Sequence, residues 1–124
     1  MTWLMVALGG ALGSVGRFGL GKALARYDAF PYGTLLANVL GSLIIGLCAG
    51  LFDADQKSRP AGLFLMAGFC GGFTTFSTFS LQTLELMQQQ AWLKAGGNMF
   101  LSVALCLFGT WLGFLIGHSL RKTG

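Results

Sequence analysis

Four stretches of this chain are each long and apolar enough to cross a lipid bilayer, and no other feature narrows the fold as far. They run over about residues 2–24, 33–52, 61–85 and 95–117, each near the ~20 residues a helix needs to span the hydrocarbon core. The second and fourth carry no charged side chain and the third none before Glu85. The first holds Arg17, with Lys22 near its end. Short polar breaks at about 25–32, 53–60 and 88–94 separate the spans, and loops this short join antiparallel neighbours. The fold expected is an all-α membrane protein: one domain over residues 1–124, with four transmembrane helices running up and down.

Composition agrees. Charged residues make up 10% of the 124 positions and hydrophobic ones 54%, whereas a soluble domain carries about 25% charge. The N-terminus has no basic stretch ahead of its apolar run, so the first segment is expected to remain as a span rather than be cleaved. The eight Lys and Arg residues are scattered along the chain, with no run longer than Arg121-Lys122, which excludes a basic stripe for nucleic acid. Cys48, Cys70 and Cys106 stand far apart in apolar stretches with one histidine, His118, in the chain; they read as small buried hydrophobes. No nucleophile–base pair is visible, so an enzyme is not expected.

The flanking charges are nearly balanced. Lys57, Arg59, Arg121 and Lys122 fall on the side of the N-terminus, and Lys22, Arg26 and Lys94 on the other. Four against three gives the positive-inside rule almost nothing to act on. The expectation is insertion in both orientations, and an antiparallel homodimer built from one of each. Twenty glycines, with small-xxx-small pairs such as Gly9/Gly13, Gly46/Gly50 and Gly109/Gly113/Gly117, announce closely packed helices.

Polar residues are spaced to line single helix faces. Thr34, Asn38 and Ser42 recur every four residues in the second span; Asn98, Ser102, Cys106 and Thr110 do so in the fourth. Neither line holds a carboxylate. Hydroxyls and amide NH2 groups can replace water around an anion, or bond between helices, and the spacing alone leaves both readings open. The third span carries Gly-Phe-Cys-Gly-Gly-Phe-Thr-Thr-Phe-Ser-Thr-Phe-Ser over 68–80. Two glycines followed by two threonines make a poor continuous helix. A break over Gly71, Gly72, Phe73 and Thr74 is therefore expected, tolerated at membrane depth only if buried in protein or lining a cavity. Its released carbonyls would suit a hard cation. Phe76 and Phe79 share one face, as core packing or as positive ring edges toward a small anion. Arg17, deep in the first span, faces either an aqueous vestibule or backbone carbonyls.

These motifs resemble those of the small bacterial fluoride channels, the Fluc or CrcB family, over essentially the whole length. The matching blocks are Gly9-Gly10-Ala11-Leu12-Gly13 with Arg17-Phe18; Phe30-Pro31-Tyr32-Gly33-Thr34-Leu35 with Asn38 and Gly41-Ser42; residues 68–80; and Asn98 with Ser102. The resemblance implies a fluoride-selective channel of the cytoplasmic membrane that lets fluoride out passively and so limits its toxicity. It implies a dual-topology antiparallel homodimer, with a structural, untransported Na+ held by backbone carbonyls of Gly71 and Thr74. It also implies a fluoride pathway over Asn38, Phe76 and Phe79, with Thr34, Thr75, Ser77, Thr78, Asn98 and Ser102 in its polar track and Arg17 in a vestibule. One departure is Asn98, where many members have tyrosine. The rival expectation is a small four-helix multidrug or cation exporter; those couple through an acidic residue in the first span, where this chain has Arg17.

Overall fold

The computed structural model describes residues 1–124, and the chain is helical with no strand. Helix α1 (Thr2–Ala23) and helix α2 (Tyr32–Leu51) are the first two spans. A short helix, α3 (Ala54–Ser58), follows. The third span is composite: α4 (Pro60–Leu63) runs through a π-helical stretch (Phe64–Cys70) into α5 (Gly71–Phe73), and α6 (Phe76–Gln88) completes it. The last span is α7 (Trp92–Thr123).

All four helical spans are long and apolar enough to cross a membrane. Their ends follow local chemistry more than hydropathy. Asp53 and Gln56 form a reciprocal capping box at the start of α3, with bonds of 2.8 and 2.9 Å. Pro60 occupies the first turn of α4, where its missing N–H costs nothing. Helix α7 continues past the apolar segment at 95–117: its 32 residues make it about 48 Å long at 1.5 Å each, against ~30 Å of hydrocarbon. Arg121 and Lys122 therefore lie in a last turn beyond the apolar stretch, where cations suit the helix dipole.

The interior is small and rich in glycine, and the exterior is apolar. Of 19 buried residues only six are apolar side chains, among them Ala37, Cys70 and Phe73, while the others are glycines with Thr83, Asn98 and Ser102. Leucines, phenylalanines and tryptophans cover the outside, Trp3 and Leu93 being almost fully exposed. A chain arranged this way needs an apolar solvent; it is a multi-pass membrane protein.

Glycines set the packing. Helix α2 makes its most extensive contact with α7; a Cβ on Gly46 would run into the Thr110 carbonyl, and one on Gly113 into that of Leu43. Helix α1 lies against the π-helical stretch and α5, with Gly9 and Gly13 facing the carbonyls of Phe64 and Phe69. The molecule is thus two close-packed pairs, α1 with the first half of the third span and α2 with α7.

The break in the third span is present, but it lies one step later than the glycines suggest. Gly71 keeps helical angles (φ −62°, ψ −38°), and the chain leaves the helix at Thr74 (φ −88°, ψ 154°) and Thr75 (φ −151°, ψ 116°). Gly72 is needed for proximity: a Cβ there would collide with the carbonyl of Gly10 on α1. The β-branched threonines are the residues at ease in extended backbone, so the strand-like step falls on them.

Candidate functional site: an uncharged groove at the helix break

An interrupted helix releases backbone groups that must find other partners. Here the sequence supplies them from three directions. Thr74 turns back on its own helix, its N–H and hydroxyl both donating to the Cys70 carbonyl at 3.0 and 2.8 Å. Asn38, reaching across from α2, pairs with the Thr75 backbone twice. The Thr75 N–H donates to Asn38 Oδ1 at 2.7 Å, and Asn38 Nδ2 donates to the Thr75 carbonyl at 3.2 Å. Thr75 is also the N-cap of α6, its hydroxyl oxygen accepting from the Thr78 N–H at 3.2 Å. From α1, Arg17 Nε donates to the Gly72 carbonyl at 3.2 Å. The carbonyls of Gly71, Phe73 and Thr74 take no hydrogen bond within the chain.

Beside the break lies an open groove of about 560 Å³ between α2, α7 and the two halves of the third span. No charged residue lines it. Its polar wall includes Asn38, Ser42, Thr74, Thr75, Ser102 and Thr110, and Phe76 and Phe79 stand over it. The two rings lie 5.4 Å apart, tilted by 48°. Phe76 is 79% exposed, an open flank for a ring in the middle of a span. Asn38 has one amide hydrogen left after its bond to Thr75, and it borders the groove.

The expected site residues are only partly brought together. Asn38, Phe76, Phe79, Thr75 and Ser102 meet at the groove, as do Gly71 and Thr74. Thr34 does not; it lines a second cavity of about 430 Å³ among residues 24–34, α6 and the start of α7, with Asp28, Gln82, Glu85 and Lys94. Ser77 is exposed and within 3.3 Å of the Thr75 hydroxyl, and Thr78 is bonded to Thr75. Asn98 sits behind the groove wall rather than on it, 1% exposed. Arg17, expected at a vestibule, is half-buried and on the wall of neither cavity; the contact it makes is the Gly72 carbonyl.

The roles of two residues escaped the sequence reading. Thr83 is 5% exposed and links α6 to α7 through Asn98; it lies four residues after Phe79, a spacing that could have flagged it. Gly41 has no room for a Cβ because the Thr74 methyl and the Phe73 ring fill that space. The sequence marks it only as part of a matching block with Ser42, not as a contact of the break.

Comparison with known proteins identifies the family. Residues 4–114 match the family described as CrcB-like protein, camphor resistance. A protein of Opitutus terrae named fluoride-specific ion channel FluC is 49% identical, over 97% of this chain and 95% of its own length. Proteins of the same name from Methylocella silvestris and Rhodospirillum rubrum are 44% and 49% identical, the alignments covering 98% and 91% of this chain and 97% and 92% of theirs. With four spans, a broken third helix and near end-to-end similarity to such relatives, this chain belongs to the CrcB family.

Proposed function

We propose that the protein is a passive fluoride channel of the cytoplasmic membrane, and that it conducts as an antiparallel homodimer. The observation that carries this reading is the groove: an uncharged and mostly apolar wall on which hydroxyls, one amide and two phenyl rings meet at the helix break, in a chain similar to proteins named fluoride-specific ion channels. Fluoride is small and strongly hydrated, so a route through the bilayer must return in contacts what it strips in water. The remaining Asn38 amide hydrogen and the threonine and serine hydroxyls donate to it. Phe76 and Phe79 offer the positive edge of their rings. Neutral donors hold the ion loosely enough to release it, as conduction requires. The Arg17 charge near the break adds a longer-range pull on anions.

The open flank of the groove and the exposed Phe76 support a second copy as the missing wall. Balanced flanking charge supports the opposite orientation for that copy. A Na+ between the two copies fits the donor set: the unpaired carbonyls of Gly71 and Thr74 border the groove, and carbonyl oxygen suits a hard cation. When bound, such an ion supplies a fixed positive charge and ties the two breaks together. Asn38 and Thr74 of each chain hold the backbone that presents those oxygens.

The test is ion efflux from liposomes. Wild type should pass fluoride and retain chloride; Phe76→Ile and Phe79→Ile should cut fluoride flux sharply, and Leu8→Ile, on the exposed face of α1 away from the groove, should not. Equal passage of both anions overturns the reading. So do Phe variants that assemble as dimers and conduct like wild type.

A further inference from the structure

We propose that Asn98 is a positioning residue. It couples the Ser102 hydroxyl on the groove wall, through Thr83, to the backbone carbonyl of Phe79. The inference rests on the channel reading above and assigns a residue that acts behind the pathway rather than on it.

Three bonds carry the argument. The Thr83 hydroxyl donates to the Phe79 carbonyl at 2.8 Å. Asn98 Nδ2 donates to the Thr83 hydroxyl oxygen at 2.9 Å. The Ser102 hydroxyl donates to Asn98 Oδ1 at 3.4 Å. The direction of the chain is forced. Thr83 has a single hydroxyl proton, committed to Phe79, so toward Asn98 its oxygen can only accept. Asn98 must therefore turn its NH2 to Thr83 and its carbonyl to Ser102. Ser102 in turn must spend its proton on Asn98, which leaves lone pairs facing the groove.

At rest, then, Ser102 is an acceptor toward the groove, the wrong polarity for an anion. It becomes a donor only by swinging its proton away from Asn98. The 3.4 Å bond is long for an O–H···O contact, usually 2.7–2.8 Å, so that swing is inexpensive. Asn98 is 1% exposed and Thr83 5%. Buried amides without partners are costly, so the pair also locks α6 to α7 at the level of Phe79. One side chain thereby sets both the readiness of a hydroxyl to donate and the place of a ring.

Thr83→Val keeps the shape and removes both hydroxyl bonds; Thr83→Ser keeps the bonds. Two readouts are compared: fluoride flux per reconstituted dimer, and the 19F resonance of 4-fluorophenylalanine placed at position 79 or at 76. Thr83→Val should lower flux per dimer about three- to tenfold, the factor of one lost buried hydrogen bond. It should shift or broaden the resonance at 79 more than at 76, and Thr83→Ser should restore both. If Thr83→Val fails to assemble, Asn98→Ser, too short to bridge Thr83 and Ser102 together, should give the same pattern. A resonance at 79 unmoved in the assembled variant, or flux per dimer equal to wild type, overturns the coupling. A wild type that passes no fluoride sinks the channel reading instead, and the resonance comparison, which needs no conduction, still decides on Asn98.

Discussion

Along the α2–α7 seam two unbroken helices meet with glycine against carbonyl, whereas at Thr74–Thr75 the third span leaves the helix and side chains hold its backbone. In the seam each helix satisfies its own peptide groups, so contact needs only the absence of Cβ atoms at Gly46, Gly50, Gly113 and Gly117. Dispersion between close backbones does the rest. At the break the backbone cannot satisfy itself, and hydrocarbon offers nothing in exchange. Asn38, Arg17 and the threonine hydroxyls must supply the partners. The two regions differ in what is left over. A glycine seam leaves nothing polar to offer, while the break leaves the unpaired carbonyls of the groove-lining Gly71 and Thr74, an amide hydrogen and hydroxyls.

If side chains truly replace the helix ladder at the break, the largest effect belongs to Asn38. Asn38→Leu leaves the Thr75 N–H and carbonyl without partners and should cost about 2–5 kcal/mol, summing two unsatisfied groups, with flux abolished. Asn38→Asp keeps an acceptor for the Thr75 N–H but sets a carboxylate against the Thr75 carbonyl. It should therefore destabilise at least as much as Asn38→Leu, a half-buried carboxylate facing an acceptor, while blocking fluoride by its charge. Equal stability of wild type and Asn38→Leu in detergent melts would mean that the break holds itself.

The seam makes the complementary prediction. Gly113→Ala drives a methyl at the Leu43 carbonyl and should destabilise the fold by about 1–3 kcal/mol, the range for overpacking. Flux per folded protein should barely change, because no seam glycine offers a polar group to the groove. A Gly113→Ala protein that melts like wild type would show that α2 and α7 can slide apart at little cost. Smaller still is the cap: Thr75→Val should lose about 1 kcal/mol of local helix stability. Hydrogen exchange at the first turn of α6 should report it, with Thr75→Ser retaining protection.

How much of this was legible beforehand divides along the same line. The seam could be read directly, because glycine spacing is a property of one helix face and the spans follow from hydropathy. The break could be read as a weakness in the helix, since Gly-Gly-Phe-Thr-Thr is poor in helix formers. Its position was less plain, because Gly71 and Gly72 stay helical, Gly72 serving close approach to Gly10 instead, and the extended step falls on Thr74 and Thr75. The polar lines were visible as spacing, but spacing does not say which member faces a cavity. Thr34 and Asn38 sit one turn apart on α2 yet open onto different cavities, and Asn98 and Ser102 divide between the inside and the face of the groove wall. Those outcomes are set by neighbours distant in sequence, as is the bridge through Thr83.

The smallest effect within one chain separates the two adjacent glycines. Gly71 and Gly72 look alike in the sequence and are both helical, yet a Cβ at Gly72 strikes the Gly10 carbonyl while one at Gly71 meets nothing within 4 Å. Inside a single chain Gly71→Ala should therefore be neutral or stabilising by up to about 1 kcal/mol, as expected for Ala replacing Gly at helical angles. Gly72→Ala should destabilise by the overpacking mechanism. If a second copy closes the groove over Gly71, the order changes with assembly: Gly71→Ala should leave the monomer folded, weaken the dimer and depress flux. Dilution series by single-molecule photobleaching in membranes would separate monomer from dimer, with thermal melts reporting the chain itself. Dimers of Gly71→Ala as tight as wild type would remove this surface from the interface. The Asn38–Thr75 clamp would then stand as a feature of the single chain alone.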